Sequence, residues 1–325
     1  MKPSCRYRPE FEALETRVVP SVTYRIVDLN GNAVPDLQII GNRKNQIVRI
    51  IDDPAANRTW ISIDKNGNGN FSERGEVNNE LLTTTFDVID VQLKGGQDVF
   101  EYHAISEFVG TARELRIRTG SGDDSVLLRI NSRISADSLF RATVWLGDGN
   151  DRFVGNLVIN TFAVEGEADF RVHGGRGKDF ITWTRGLPDG ADSSTPLNPA
   201  DVTGLLLLQM YGDRGEDRFM IDFGVAGGFR LHDPGRIQLR ADGGSGDDSM
   251  LVTFRNTADS NGWYDLQLQG NRGNDLLSFG LFDESNGQVQ FENGAVLLDG
   301  GNGRGDSGLL SPGQNAPITR ANLEN

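Results

Sequence analysis

The sequence is poor in cysteine, histidine, positive charge and long apolar stretches. Cys5 is the single cysteine, so no disulfide can form within the chain. No apolar run approaches the ~18–20 residues of a membrane-spanning helix, so no transmembrane segment is expected. The basic start Met1-Lys2-Pro3-Ser4-Cys5-Arg6-Tyr7-Arg8 leads into no apolar stretch of ~7–15 residues, and an ordinary secretory signal is not read there. Cys5 also lacks the apolar run that precedes a lipidated cysteine. The histidines His103, His173 and His232 are scattered, and no Gly-x-Ser-x-Gly elbow, phosphate-binding loop or His-Glu-x-x-His motif accompanies them. A non-enzymatic role is therefore expected. Lys and Arg total 32 against 46 Asp and Glu, and the net charge of −14 argues against a nucleic-acid partner. Runs with the 3.6-residue period of a helix are absent too.

What is abundant is glycine, with 41 residues, and it recurs in a fixed setting. Seven turns carry Gly two places before Asp: Gly96-Gln97-Asp98, Gly122-Asp123-Asp124, Gly149-Asn150-Asp151, Gly177-Lys178-Asp179, Gly215-Glu216-Asp217, Gly246-Asp247-Asp248 and Gly273-Asn274-Asp275. Arg304-Gly305-Asp306 is a degenerate eighth copy. Successive Asp positions lie 26, 27, 28, 38, 31, 27 and 31 residues apart. A fixed period of this size is how a solenoid shows itself in sequence. The 38-residue interval contains a polar, Pro/Gly-rich run from Gly186 to Pro199, which reads as a loop inserted into one coil. One and two periods before Asp98 stand Phe71 and Asn45, each after a Gly/Asn-rich run, and they mark degenerate coils.

Between the turns the pattern is that of strands. Ile89, Val91 and Leu93 alternate with Asp90, Gln92 and Lys94, and Tyr264, Leu266 and Leu268 alternate with Asp265 and Gln267. A period of two marks a strand with one buried face. Short apolar segments such as Val126-Leu127-Leu128 and Phe219-Met220-Ile221 follow each Asp. Hairpin pairing across each turn is the structural rival, but the turns are longer than a two-residue hairpin loop and their register repeats. The expected fold is all-β, a parallel β-solenoid (β-helix or β-roll-like) with coils of about 27 residues. Hydrophobic residues make up 37% of the chain, enough for a narrow solenoid core. Residues 1–21 read as a disordered leader or sorting segment. Residues 22–85 read as an N-terminal β region with degenerate coils, 86–310 as the repeat domain and 311–325 as a C-terminal tail.

Gly243-Gly244-Ser245-Gly246-Asp247-Asp248-Ser249-Met250 and Gly174-Gly175-Arg176-Gly177-Lys178-Asp179-Phe180-Ile181 resemble the Gly-Gly-x-Gly-x-Asp-x-apolar unit of RTX, or haemolysin-type, calcium-binding proteins. The turns span residues 95 to 306. In that family the units follow in tandem every nine residues with calcium between stacked turns; here they recur once per coil. The resemblance implies Ca2+ as the cofactor, held by Asp-bearing turns. A charge argument agrees with it. Carboxylates stacked at strand spacing repel by roughly 1 kcal/mol per neighbouring pair in water and about 3–4 kcal/mol at an effective dielectric near 20. A divalent cation removes that cost and takes six to eight oxygens from carboxylates and turn carbonyls.

The candidate metal residues are Asp98, Asp123, Asp124, Asp148, Asp151, Asp247, Asp248 and Asp275. The turns at Asp124, Asp151 and Asp248 are favoured because they carry no basic residue, while Arg176, Lys178 and Arg214 disfavour those at Asp179 and Asp217. The opposing reading is that each Asp caps its own turn through backbone N–H groups. Asp64-Lys65-Asn66-Gly67-Asn68-Gly69-Asn70-Phe71-Ser72 matches the first nine positions of an EF-hand loop, but Gly75 stands where the bidentate Glu is needed. A polar strand-to-strand loop is the better reading. Asp28-Leu29-Asn30-Gly31-Asn32, continuing to Asp36, is a weaker match.

Phe11-Glu12-Ala13-Leu14-Glu15-Thr16-Arg17-Val18-Val19-Pro20-Ser21 resembles the Leu-Glu-x-Arg motif near the start of surface and secreted proteins of planctomycete-type bacteria. The functional expectation is an extracellular or cell-surface calcium-binding repeat protein whose partners are calcium ions and cell-surface or extracellular matrix components. Two alternatives stand beside it: a parallel β-helix carbohydrate-active enzyme working beside the 186–204 loop with Asp189, Asp192 and Asp201, and a metal-free spacer or adhesin. Arg304-Gly305-Asp306-Ser307 spells an integrin-recognition tetrapeptide, but Asp306 is already a repeat position.

Overall fold

The computed structural model describes residues 22–158, 161–186, 198–224, 228–285, 288–292, 294–303, 305–310 and 317–323. The chain is nearly all β, with 61% strand and 1% helix, and winds into a parallel β-solenoid of about 7 turns with coils of about 28 residues. The expected fold is the one found. Hairpins across the Gly-rich turns are not: the strands before and after each turn lie in different sheets. The strand before a turn, such as Ala112–Ser121, Leu139–Asp148 or Glu167–Arg176, pairs in parallel with its counterparts in the adjoining coils. The strand after it, such as Ser125–Ile130, Arg152–Val158 or Phe180–Gly186, does the same in the second sheet. Short strands Arg133–Ile134, Ala163–Val164, Ala200–Val202 and Phe229–Leu231 form a narrow third face.

Register is kept along the column that follows the Asp residues. Val99, Ser125, Arg152, Phe180, Arg218, Ser249, Leu276 and Ser307 stack in order. The 38-residue interval does not disturb this, since Phe180 still pairs with Arg218. Most of its Pro/Gly-rich run, with Asp189 and Asp192, lies outside the described residues, as does the leader 1–21 with its Leu-Glu-x-Arg motif.

Alternation of side chains across each strand sends Leu115, Ile117, Val126, Leu128 and Ile130 inward, and all are fully buried. Equivalent residues of successive coils then touch and form one continuous apolar core. Phe140 lies 5.6 Å from Phe170, and Phe170 meets Trp183 edge-on at 4.7 Å. Gly155 leaves the space that the Trp183 ring fills; a Cβ there would stand 2.2 Å from the indole.

The N-terminal region departs from the sequence expectation at one of its two degenerate coils. The Asn45 coil exists: Ile47–Asp53 pairs in parallel with Val99–Ala104. The Phe71 coil does not. Residues Arg58–Asp64 and Val77–Leu82 form antiparallel strands laid against Ile47–Asp53, and Phe71 sits in the turn between them. Two periods thus separate Asn45 from Gln97 because an antiparallel excursion replaces a coil. Thr23–Val27 likewise runs antiparallel to Asp36–Ile40. These strands cover the N-terminal sheet edges, which would otherwise offer unpaired backbone groups to other chains. At the other end, Ile318–Ala321 pairs with Val296–Asp299, so part of the expected C-terminal tail belongs to the solenoid.

The glycines two places before Asp have a steric reason. A Cβ at Gly177 would stand 1.6 Å from the Gly149 carbonyl oxygen of the adjoining coil, and the residue has φ +135°. Gly122, Gly149, Gly215, Gly246 and Gly273 repeat that clash at 1.4 to 2.1 Å. Gly177→Ala is therefore expected to destabilise the fold by at least about 2 kcal/mol in urea unfolding, through both clash and backbone strain. Ser121→Ala, at an exposed position two coils away, should stay within about 0.5 kcal/mol of wild type.

Candidate functional site: the aspartate column

The Gly-rich turns place one Asp of each coil on a line along the solenoid. Asp98, Asp124, Asp151, Asp179, Asp217, Asp248 and Asp275 are 1–2% exposed, and Asp306 is fully buried. Each Oδ1 accepts the backbone N–H of the residue one coil earlier. Asp98 takes it from Gln46 at 2.8 Å, Asp124 from Asp98 at 2.7 Å and Asp151 from Asp124 at 2.7 Å. The ladder continues through Asp179, Asp217, Asp248 and Asp275 to Asp306 at 2.7–2.8 Å. Gln46 occupies the column position of the Asn45 coil, a place that its Gly/Asn-rich run marks in sequence without an Asp.

The second oxygens are in a different state. Oδ2 of Asp98, Asp124, Asp151, Asp179, Asp217, Asp248 and Asp275 is buried without a hydrogen-bond partner. In four coils it packs on a bare Cα: a Cβ at Gly174, Gly212, Gly243 or Gly270 would stand 2.3–2.4 Å from it. Burial raises the affinity of these groups for a proton. It pushes Asp98 and Asp248 up to about 8, Asp151 and Asp217 to about 7, and Asp124, Asp179 and Asp275 to about 6. Neighbouring carboxylates add to the rise, and the N–H bonds oppose it.

Asp123, Asp148 and Asp247 lie outside this column, exposed on the outer rim of the turns. Asp123 Oδ1 accepts the Asn150 N–H at 2.9 Å, and Asp247 Oδ1 accepts the Asn274 N–H at 2.8 Å. Asn45 and Asn150 do the same for Gln97 and Lys178. This outer ladder runs opposite to the inner one, each side chain reaching forward by a coil instead of back. Asp148 stands 4.0 Å from Arg176. The eight residues expected to hold metal therefore divide into five buried members of the column and three rim acids.

Two of the basic turn residues pair on the rim and not with the column. Lys178 pairs with Glu216 and Arg176 with Asp148, both on the exposed rim. Calcium requires an oxygen-rich shell, and the orphaned Oδ2 atoms are the donors the column offers. Among the described residues no group of three or more His, Cys, Asp or Glu side chains converges as a ready-made cage.

The Asp64 loop is a strand-to-strand connection, as expected. Asp64 accepts the N–H groups of Asn66, Gly67 and Gly69, while the side-chain amides of Asn66, Asn68 and Asn70 donate to Glu73. Asp28 closes its own turn similarly, accepting from Gly31 and Ala33. Asp306 of the tetrapeptide ends the buried column, and Arg304 lies outside the described residues.

Two further groups were not legible as motifs. Asp52 is buried with Arg113 at 3.0 Å and the Tyr102 hydroxyl at 2.7 Å, a paired charge inside the core. On the outside of the first sheet, Trp145, His173 and Tyr211 stack face to face, with Arg118 over Trp145 and Arg240 over Tyr211. Trp145, His173 and Tyr211 each stand six residues before a column Asp, so alignment on the Asp residues would have exposed them.

A carboxyl that binds its proton more tightly when folded contributes stability that fades as pH rises through its folded value. In EDTA the melting temperature is thus expected to fall as pH rises from about 4 to about 8, the range between the ordinary Asp value and the raised ones. Asp151→Asn, which removes one of the column's seven raised carboxyls, should make that dependence shallower, whereas Asp151→Ala should cost about 1–3 kcal/mol at every pH by orphaning the Asp124 N–H. No family model matches the chain, and no curated protein or solved structure matches it.

Proposed function

We propose that this chain is a non-enzymatic repeat protein of the extracellular space or the cell surface, whose aspartate column takes up Ca2+ between stacked coils. The observation that carries this reading is the file of seven buried Oδ2 atoms without a partner. The large majority of buried polar atoms in folded proteins are satisfied, and an unmet one calls for a water, an ion or a function. A proton does not meet the need, because it turns an unpartnered acceptor into an unpartnered donor. A divalent cation meets it and removes the repulsion between neighbours. The residues that would hold it are Asp98, Asp124, Asp151, Asp248 and Asp275 in the column, with Asp123, Asp148 and Asp247 adding negative charge at the rim. Bound calcium would then stabilise the folded coils by linkage, since the unfolded chain has no column.

A metal-free spacer is the second reading, and the Oδ1 ladder favours it. That ladder uses the Asp of every repeat for coil-to-coil capping, and the glycine carbonyl contacts use the Gly. On this reading protons alone offset the buried charge.

The readings part in a thermal melt at pH 8 with EDTA, with millimolar calcium and with millimolar magnesium. The calcium reading expects a calcium-selective rise in melting temperature that shrinks at pH 5, where protons compete for the same oxygens. Identical melts in all three solutions at pH 8 would assign the column to capping alone.

A further inference from the structure

The third face carries a cleft unrelated to the aspartate column. Its outward positions stack in register: Arg133 beside Ala163, and Asp201 beside Arg230. Val164 pairs with Val202, which sets Asp201 next to Ala163. Three of these four rungs carry long or charged side chains, and Ala163 carries a methyl group. Two coil spacings, about 10 Å, then separate Arg133 from Asp201, with the short Ala163 side chain on the rung between them.

The gap is a cavity of about 400 Å³ lined by Arg133, Phe162, Glu165, Asn198, Asp201 and Arg230. That volume lies at the lower end of the range for small-ligand sites, roughly 300–1,000 Å³. Its charged groups are already fixed in place. Arg133 pairs with Glu165 and lies 3.7 Å from Glu107. Arg230 lies 3.3 Å from Asp201 and 2.9 Å from Asp259, and His232 Nε2 is 4.0 Å from Asp201. A second, more open concavity shares Glu165 and continues round the corner past Asp137 and Glu167.

We propose that this cleft binds one sugar unit of a neutral glycan, with the adjoining concavity receiving the next part of the chain. Partly exposed carboxylate–guanidinium pairs present acceptors and donors side by side, the pattern that adjacent hydroxyl groups satisfy. The Ala163 methyl and Pro199 offer apolar contact for the C–H face of the ring. In the lining Glu165 and Asp201 balance Arg133 and Arg230, and Glu107 and Asp259, paired to those arginines from outside the lining, tip the surroundings negative, which disfavours carboxylated or sulfated sugars. Because the site shares no residue with the column, its occupancy is independent of the calcium reading.

The test is titration calorimetry of the full chain in EDTA with neutral tetrasaccharides (β-glucan, α-glucan, xylan, mannan and galactan fragments) and with tetragalacturonate. At least one neutral tetrasaccharide should bind, and binding should weaken at least tenfold in Asp201→Asn and in Ala163→Phe, which fills the missing rung. Each variant counts once its circular dichroism matches wild type; the near-isosteric Asp201→Asn keeps the test decisive if Ala163→Phe misfolds. Binding of none of the neutral fragments, preference for tetragalacturonate, or affinity that survives in a folded variant would overturn the assignment.

Discussion

The structure depends on stacking at strand spacing. Once coils rise by about 4.8 Å each, every residue type at a given corner meets its own kind above and below. For apolar residues this is favourable, and the inward Val, Ile, Leu and Phe columns build the core. For an acid it is costly, because like charges are brought into a line away from water. The molecule nonetheless keeps a carboxylate in every coil from Asp98 to Asp306. The N–H ladder shows what the carboxylate supplies: it holds the Gly-rich turn of one coil to that of the next where strand pairing lapses. It also shows what remains open, namely the charge on the second oxygen.

Each half of the repeat unit has its own physical cause. Glycine two places before Asp is required because the adjoining coil's carbonyl occupies the place of a side chain. Asp serves because its short side chain places an acceptor at the neighbouring N–H from that corner. The rim residue between them is freer, and its occupants include Gln97, Asp123, Asn150, Lys178 and Glu216. Where it is Asn or Asp it builds the outer ladder; where it is Lys178 or Glu216 it makes a surface ion pair instead. The inner ladder ties each turn from Asp98 to Asp275 to the coil on either side, and the outer ladder adds a second tie at the turns whose rim residue is Asn or Asp.

The solenoid was legible in sequence because its signal is repetition, and repetition survives an interval as irregular as 38 residues. Parallel pairing followed from the near-constant register, which hairpins do not require. The N-terminal cap was not legible at Phe71. There the chain leaves the repeat for antiparallel strands, and the alternation of Trp60, Ile61, Ser62 and Ile63 suits either pairing. The inner and outer acids, grouped together as candidate ligands, proved to occupy distinct places. Asp123 and Asp124 are adjacent in sequence, and the backbone of the Gly-rich turn between two strands sends one to water and the other inward. A contact such as Asp52 with Arg113 joins residues with no shared motif and emerges only once the coils are stacked, whereas Arg118 and Trp145 share a register position that alignment on the Asp residues reveals.

The account turns on what balances the column's charge, and counting ions answers that most directly. Equilibrium dialysis against calcium at pH 8, followed by elemental analysis, gives the ions held per chain. The account predicts more than one calcium per folded chain, a smaller number in Asp151→Asn and Asp248→Asn, and no comparable uptake of magnesium. A folded chain that retains no calcium above the dialysis buffer would contradict it.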